Sequence, residues 1–95
     1  MIDWKIKLTP EATRFLAGLH PDTKSIIKSA LQEIRESPHA GIDLQEELSG
    51  FKSFKPKRYR ILYKLNEENQ SIEVYYIGHR KDVYERFKRL LDRFE

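Results

Sequence analysis

The chain has 95 residues, no cysteine, a formal net charge of +3, and Asp, Glu, Lys and Arg at 35% of its positions. A chain of this size buries only about 60 to 70% of its extended surface, which excludes a deep enclosed cavity, while the missing thiol excludes disulfide frameworks and thiolate metal sites and fits a reducing compartment. Charge enters at Asp3 and Lys5, too early for a secretory signal, and no run approaches the roughly 18 apolar residues of a spanning helix, so one soluble, cytoplasmic domain over 1–95 with no membrane partner is expected.

Trp4 to Leu8 alternates apolar and basic side chains, the pattern of a half-buried strand. Thr9, Pro10 and Glu11 then read as helix initiation: a capping hydroxyl, a proline that loses no bond at the first position, and a carboxylate near the positive end of the dipole. Gly18 ends that short helix. A second begins near Pro21 and Asp22, carries Ile26, Ile27, Ala30, Leu31 and Ile34 as one apolar stripe, and stops at Ser37 and Pro38. So short a connection predicts a helical hairpin.

From Pro38 to Gly50 the periodicity is lost, although Leu44 and Leu48 could pin a loop or a single turn to the core. Strands are expected at Phe51 to Lys55, Arg58 to Leu65 and Ser71 to Ile77, with a turn over Asn66 to Gln70. In the middle strand Tyr59, Ile61, Tyr63 and Leu65 share one face, the core, while Arg58, Arg60, Leu62 and Lys64 share a cationic one. The next strand sets Ile72, Val74 and Tyr76 against Glu73, Tyr75 and Ile77, which predicts a central strand covered on both sides. Asp82 and Glu85 have capping-box spacing, and Val83, Phe87, Leu90, Leu91 and Phe94 supply the stripe of a last helix. The expected fold is α+β: a small antiparallel-rich sheet with an N-terminal helical hairpin on one face and a C-terminal helix.

The basic character is concentrated in the second half. Residues 1–50 carry 6 Lys/Arg against 8 Asp/Glu, and residues 51–95 carry 12 against 7. Lys52, Lys55, Lys57, Arg58 and Arg60 follow one another with no carboxylate between them, a positive field able to steer a polyanion, or else the charged edge that keeps a strand from aggregating. His79, Arg80 and Lys81 fall in a strand-to-helix connection, where free amides favour an anion. The candidate nucleic-acid-binding residues are therefore Lys52, Lys55, Lys57, Arg58 and Lys81. His20, His39 and His79 lack ligand spacing, so neither a metal nor another cofactor is expected.

The order of elements, with Tyr59 to Tyr63 followed by Tyr76 to Arg80 and then Asp82, Val83 and Tyr84, resembles the RelE/ParE superfamily of toxins from type II toxin–antitoxin systems, and the RelE branch in particular. The resemblance covers essentially the whole chain. It implies a RelE-like fold and a ribosome-dependent endoribonuclease that cuts messenger RNA in the decoding site, held silent by a cognate antitoxin, with operator DNA reached only through that complex. It also implies catalytic roles for Arg60, Arg80 and Tyr84. The family's lysines precede the Tyr-Arg pair, and here Phe51 and Ser53 occupy the matching places, with Lys52 and Lys55 alongside.

Cutting RNA without a metal requires the 2′-hydroxyl to lose a proton as it attacks phosphorus and the leaving 5′-oxygen to gain one. Arg60 and Arg80 suit the charge that builds between, because a guanidinium holds phosphate oxygens in a fixed fork and stays protonated. Tyr84 could act as general base where neighbouring cations favour the phenolate, or stack on a base, or belong to the core. His79 could protonate the leaving oxygen, although adjacent strand residues face opposite ways. Glu46 and Glu47 could offer a base or lie in a solvated loop. Two other readings stay open: a ParE-like gyrase inhibitor, and an inactive member that binds antitoxin without cleaving.

Overall fold

The computed structural model describes residues 3–93, so Phe94, expected in the last apolar stripe, lies outside the described residues. The elements run β1 (Lys5–Leu8), α1 (Pro10–Ala17), α2 (Pro21–Glu36), β2 (Ile42–Asp43), β3 (Lys52–Phe54), β4 (Tyr59–Asn66), β5 (Ser71–His79) and α3 (Val83–Asp92), with 3-10 turns at Pro38–Ala40 and Glu46–Leu48. The sheet is ordered β1-β5-β4-β3-β2, with β1 parallel to β5 and the other pairs antiparallel. This is the expected α+β architecture. The strand β2, in the stretch without periodicity, was not expected.

Both faces of the sheet are covered. On one, α1 and α2 bury Ala12, Ile27, Ala30, Leu31 and Ile34 against Ile61, Tyr63, Ile72, Val74 and Ile77. On the other, α3 lays Val83 and Phe87 over Leu48, Phe51 and Leu62. Val83 and Phe87 are fully buried, which stabilises α3 against the sheet by about 1.5 to 3 kcal/mol for each side chain. The expected cationic face of β4 is thus a second core at its centre, where Leu62 is fully buried. Arg60 stands toward one end of that face, and toward the other the Lys64 ammonium lies 4.6 Å from the centre of the Phe51 ring.

The alternation expected along β5 breaks at a bulge. Leu62 pairs with Tyr76 but Tyr63 pairs with Val74, leaving Tyr75 as the extra residue. Tyr75 and Tyr76 therefore both pack against the α3 cluster, while Ile77 joins Ile72 and Val74 beneath α1 and α2. Thr9 supports the bulge from the α1 terminus: its amide donates to the Val74 carbonyl (3.0 Å), its hydroxyl donates to the Tyr75 carbonyl (2.8 Å), and the same oxygen accepts from the Ala12 amide (3.2 Å). One side chain caps a helix and satisfies the bulged strand.

Residues 38–41 are organised from outside the segment. The fully buried Tyr63 hydroxyl donates to the Pro38 carbonyl (2.8 Å) and accepts from the Gly41 amide (3.0 Å). A Cβ at position 41 would collide with that hydroxyl, so only glycine fits. At the start of α3 the capping box does not form. Asp82 makes no side-chain cap; its carboxylate instead accepts from Arg86 Nε one turn on (2.8 Å), while its amide closes a turn onto the His79 carbonyl (3.2 Å).

Candidate functional site

The β4–β5 ladder sets Tyr59 opposite His79 and Arg60 opposite Gly78, and the Arg80 amide donates to the Arg58 carbonyl (2.8 Å). The β3–β4 turn and the β5–α3 connection are thereby tied together at one end of the sheet. Lys55, Lys57, Arg58, Arg60, Arg80 and Lys81 converge there, and the one carboxylate of the two segments, Asp82, is paired with Arg86 of α3. All but Arg60 are exposed, and none of the six is in an ion pair among the described residues. The field of such a cluster attracts a polyanion without needing a pocket.

Gly78 fixes the depth of this end. A Cβ there would lie 2.9 Å from Val83 Cγ2 and 3.2 Å from Tyr76 Cε2, so the glycine lets the first turn of α3 sit directly on the strand. One residue after Val83, the part-buried Tyr84 hydroxyl lies 2.9 Å from the Ser53 hydroxyl, and Ser53 is 1% exposed. Ser53 pairs with Leu62 and faces α3, so it holds the phenol over the same side of the sheet that carries Arg60 and Gly78. The role of Ser53 was not anticipated from the sequence. Its signal is parity, since Phe54 belongs to the α1–α2 core and its neighbour must face the other way.

Arg60 is braced by backbone: its Nη1 donates to the Tyr59 carbonyl (2.7 Å) and the Lys57 carbonyl (3.2 Å). That fixes the guanidinium against the turn while Nε and Nη2 donate to no other group among the described residues. His79 faces the opposite side of the sheet from Arg60 and Tyr84. Its ring packs edge-on against Tyr59 at 5.8 Å, on the α1–α2 side, and its Nδ1 accepts from the Lys81 amide (3.3 Å). The imidazole so placed shapes the connection and carries its proton on Nε2 when neutral. Lys52 is also separated from the cluster: it faces the same side as Phe54 and its ammonium lies 2.7 Å from an Asp43 carboxylate oxygen.

Of the two glutamates weighed as a base, Glu47 pairs with Lys88 of α3 (3.2 Å) and Glu46 lies exposed on the adjoining turn. Among the described residues no group of three His, Asp or Glu side chains stands together as a metal site. Two tyrosines away from the cationic end have hydroxyls pushed above the ordinary range, Tyr63 by burial and then the charge of Asp43, against the pull of the Gly41 amide, and Tyr75 by burial and then the charge of Glu73. Neither is poised to release a proton near neutrality. No described helix is long and apolar enough to cross a membrane.

Comparison with known proteins places this geometry in context. Residues 6–84 match the family profile described as the ParE toxin of the type II toxin–antitoxin system parDE. Toxin RelG of Mycobacterium tuberculosis is 28% identical over 85 residues, which span 87% of this chain and 98% of that protein. Among solved structures, a chain of the toxin–antitoxin complex RelBE2 from Mycobacterium tuberculosis superposes with a TM-score of 0.75 at 26% identity, over 83% of this chain and 100% of that one. The isolated Escherichia coli RelE toxin shares the fold at 17% identity, with a TM-score of 0.69 over 97% of this chain and 99% of that one.

Proposed function

The chain belongs to the ParE toxin family of type II toxin–antitoxin systems, within the RelE/ParE superfamily, and from that premise we propose that it is an endoribonuclease that cuts messenger RNA on the ribosome, in the cytoplasm, under the control of a cognate antitoxin. The observation that carries this reading is the six-cation end of the sheet, with the Tyr84 phenol held by the buried Ser53 hydroxyl over the sheet face that carries Arg60. Arg60, on β4, and Arg80, in the connection that its amide ties to the Arg58 carbonyl, serve as the donors for the phosphoryl oxygens. Losing one such preorganised donor costs about 3 to 4 kcal/mol of barrier, a factor of roughly 100 to 1,000 in rate.

In this mechanism Tyr84, as its phenolate, takes the 2′-hydroxyl proton, the 2′-oxygen bonds to phosphorus as the bond from phosphorus to the 5′-oxygen breaks, and that oxygen leaves with a proton from solvent or, if the connection turns toward the RNA, from the imidazolium of His79. Lys55, Lys57, Arg58 and Lys81 hold the strand. Mapping message 5′ ends after brief expression should reveal new ends with the intact chain and none with Arg80→Ala. Ribosome-bound message left uncut by the intact protein would end the proposal. The family match itself favours a second reading, a protein that inhibits gyrase from the same surface, for which a supercoiling assay with purified protein is the direct test.

A further inference from the structure

We propose that the groove between α2 and the β3–β4 turn is a base-reading subsite that takes one guanine of the RNA strand flanking the cut. The inference rests on the nuclease reading stated above and deepens it. Ile26, read from the sequence as part of the α2 core stripe, belongs to neither core cluster; it is half-buried and, with the buried Ala30 and the half-buried Pro56, floors a groove of about 350 Å³. Ser25, Ser29, Glu33 and Lys57 rim it, all of them exposed. Glu33 and Lys57 are the only charged groups of the rim, and neither has an ion-pair partner within 4.0 Å among the described residues.

The turn ties this groove to Arg60. The Tyr59 amide donates to the Pro56 carbonyl (2.9 Å), Lys57 takes a φ of 54°, and the Lys57 carbonyl accepts from Arg60 Nη1 (3.2 Å), so one turn gives its backbone to the guanidinium and its side chains to the groove. A lysine in the left-handed region persists only where its surroundings hold it, and here they fix the groove wall beside the phosphate donor. Charge and size then select the occupant. An apolar floor with a few polar groups in so small a volume suits one flat base. Glu33 offers two acceptor oxygens, and guanine alone among the four bases sets two neighbouring N–H donors, N1 and N2, to meet them as a bidentate pair, leaving O6 and N7 for Lys57 or the serine hydroxyls. Glu33 also repels phosphate, so the backbone stays on the cationic turn and only the base enters. An arginine-bearing peptide would suit Glu33 as well, but Lys55, Lys57 and Arg58 on the same turn repel it and attract a polyanion.

The test uses the full chain and 2′-O-methylated RNA pentamers, which chemistry at the 2′-hydroxyl cannot cut, with guanine, hypoxanthine, adenine, cytosine or uracil at the centre of a uridine background. Anisotropy reads affinity, and amide chemical shifts read location. The guanine pentamer should bind at least about fivefold more tightly than the all-uridine one, shift the amides of residues 25–33 and 56–58, and lose much of its advantage when hypoxanthine removes the N2 donor. Glu33→Gln should abolish the guanine preference while leaving all-uridine binding unchanged or slightly tighter, whereas Lys57→Ala should weaken every pentamer. Four results overturn the proposal: no binding of any pentamer, equal binding of all five, a guanine preference that survives Glu33→Gln, or an arginine-bearing peptide that shifts the same amides at lower concentration than the RNA. Because nothing is cleaved, failure here leaves the nuclease reading to the map of message 5′ ends, and an uncut message leaves the base preference to stand or fall by itself.

Discussion

Two buried hydroxyls show how much a single polar atom depends on its partners. Tyr63 is fully satisfied by the Pro38 carbonyl and the Gly41 amide, so Tyr63→Phe should cost about 1 to 3 kcal/mol by leaving both unpaired, measurable as a lower urea midpoint. Burial raises this hydroxyl above its ordinary 10.0, meaning the folded state holds the proton that the unfolded chain has already released. The stability it contributes is complete below about pH 10 and declines as pH rises through the folded value. Tyr63→Phe should therefore lose less stability than the parent between about pH 9 and pH 11, with Tyr75, shifted the same way, accounting for part of what remains. Ser71 is the opposite case, its hydroxyl buried without a partner among the described residues. Ser71→Ala should leave the midpoint unchanged or raise stability by up to about 1 kcal/mol.

At the level of elements, the helices were legible because their signals are local. Thr9 and Pro10 start α1, Gly18 follows it, and the Ile27 to Ile34 stripe of α2 points to the core as its spacing requires. The bulge was illegible because it depends on Thr9, which lies 66 residues from Tyr75 in the chain. Thr9→Val removes both the cap and the bulge's hydrogen bond, and should cost about 1 to 2 kcal/mol while weakening amide-exchange protection in α1 and at Tyr75 together. The α3 cap misled for a related reason: Asp82 had two partners at helical spacing, and Arg86 won over the backbone. In the candidate site, the clustering of cations near Arg60 and Arg80 could be read from sequence, but the separation of His79 and Lys52 from it depended on strand parity and on Asp43. Gly78→Ala should lift the first turn of α3 from β5, lowering stability and, on the nuclease reading, cutting message cleavage more steeply than the stability loss explains. Comparing the urea midpoint with cleavage rate for that variant separates the two effects.

Considered whole, the molecule is polarised, with six cations gathered at one end of the sheet. If the sheet end holds single-stranded RNA, affinity should fall with salt along a slope of about −0.7 per phosphate contacted, and Arg80→Ala should flatten that slope by about 0.7. A change in affinity at unchanged slope would mean Arg80 contacts no phosphate. At one edge of the sheet, β1 pairs only with β5, a segment far along the chain. Contacts between such distant segments are slow to form because most of the loop must close before they reward it. During translation, Lys5 to Leu8 leave the ribosome before their partners and wait for Ser71 to Val74 to follow. Assembly of the sheet is deferred until β5 has emerged, so a nascent copy holds its first strand unpaired while all the residues between are made.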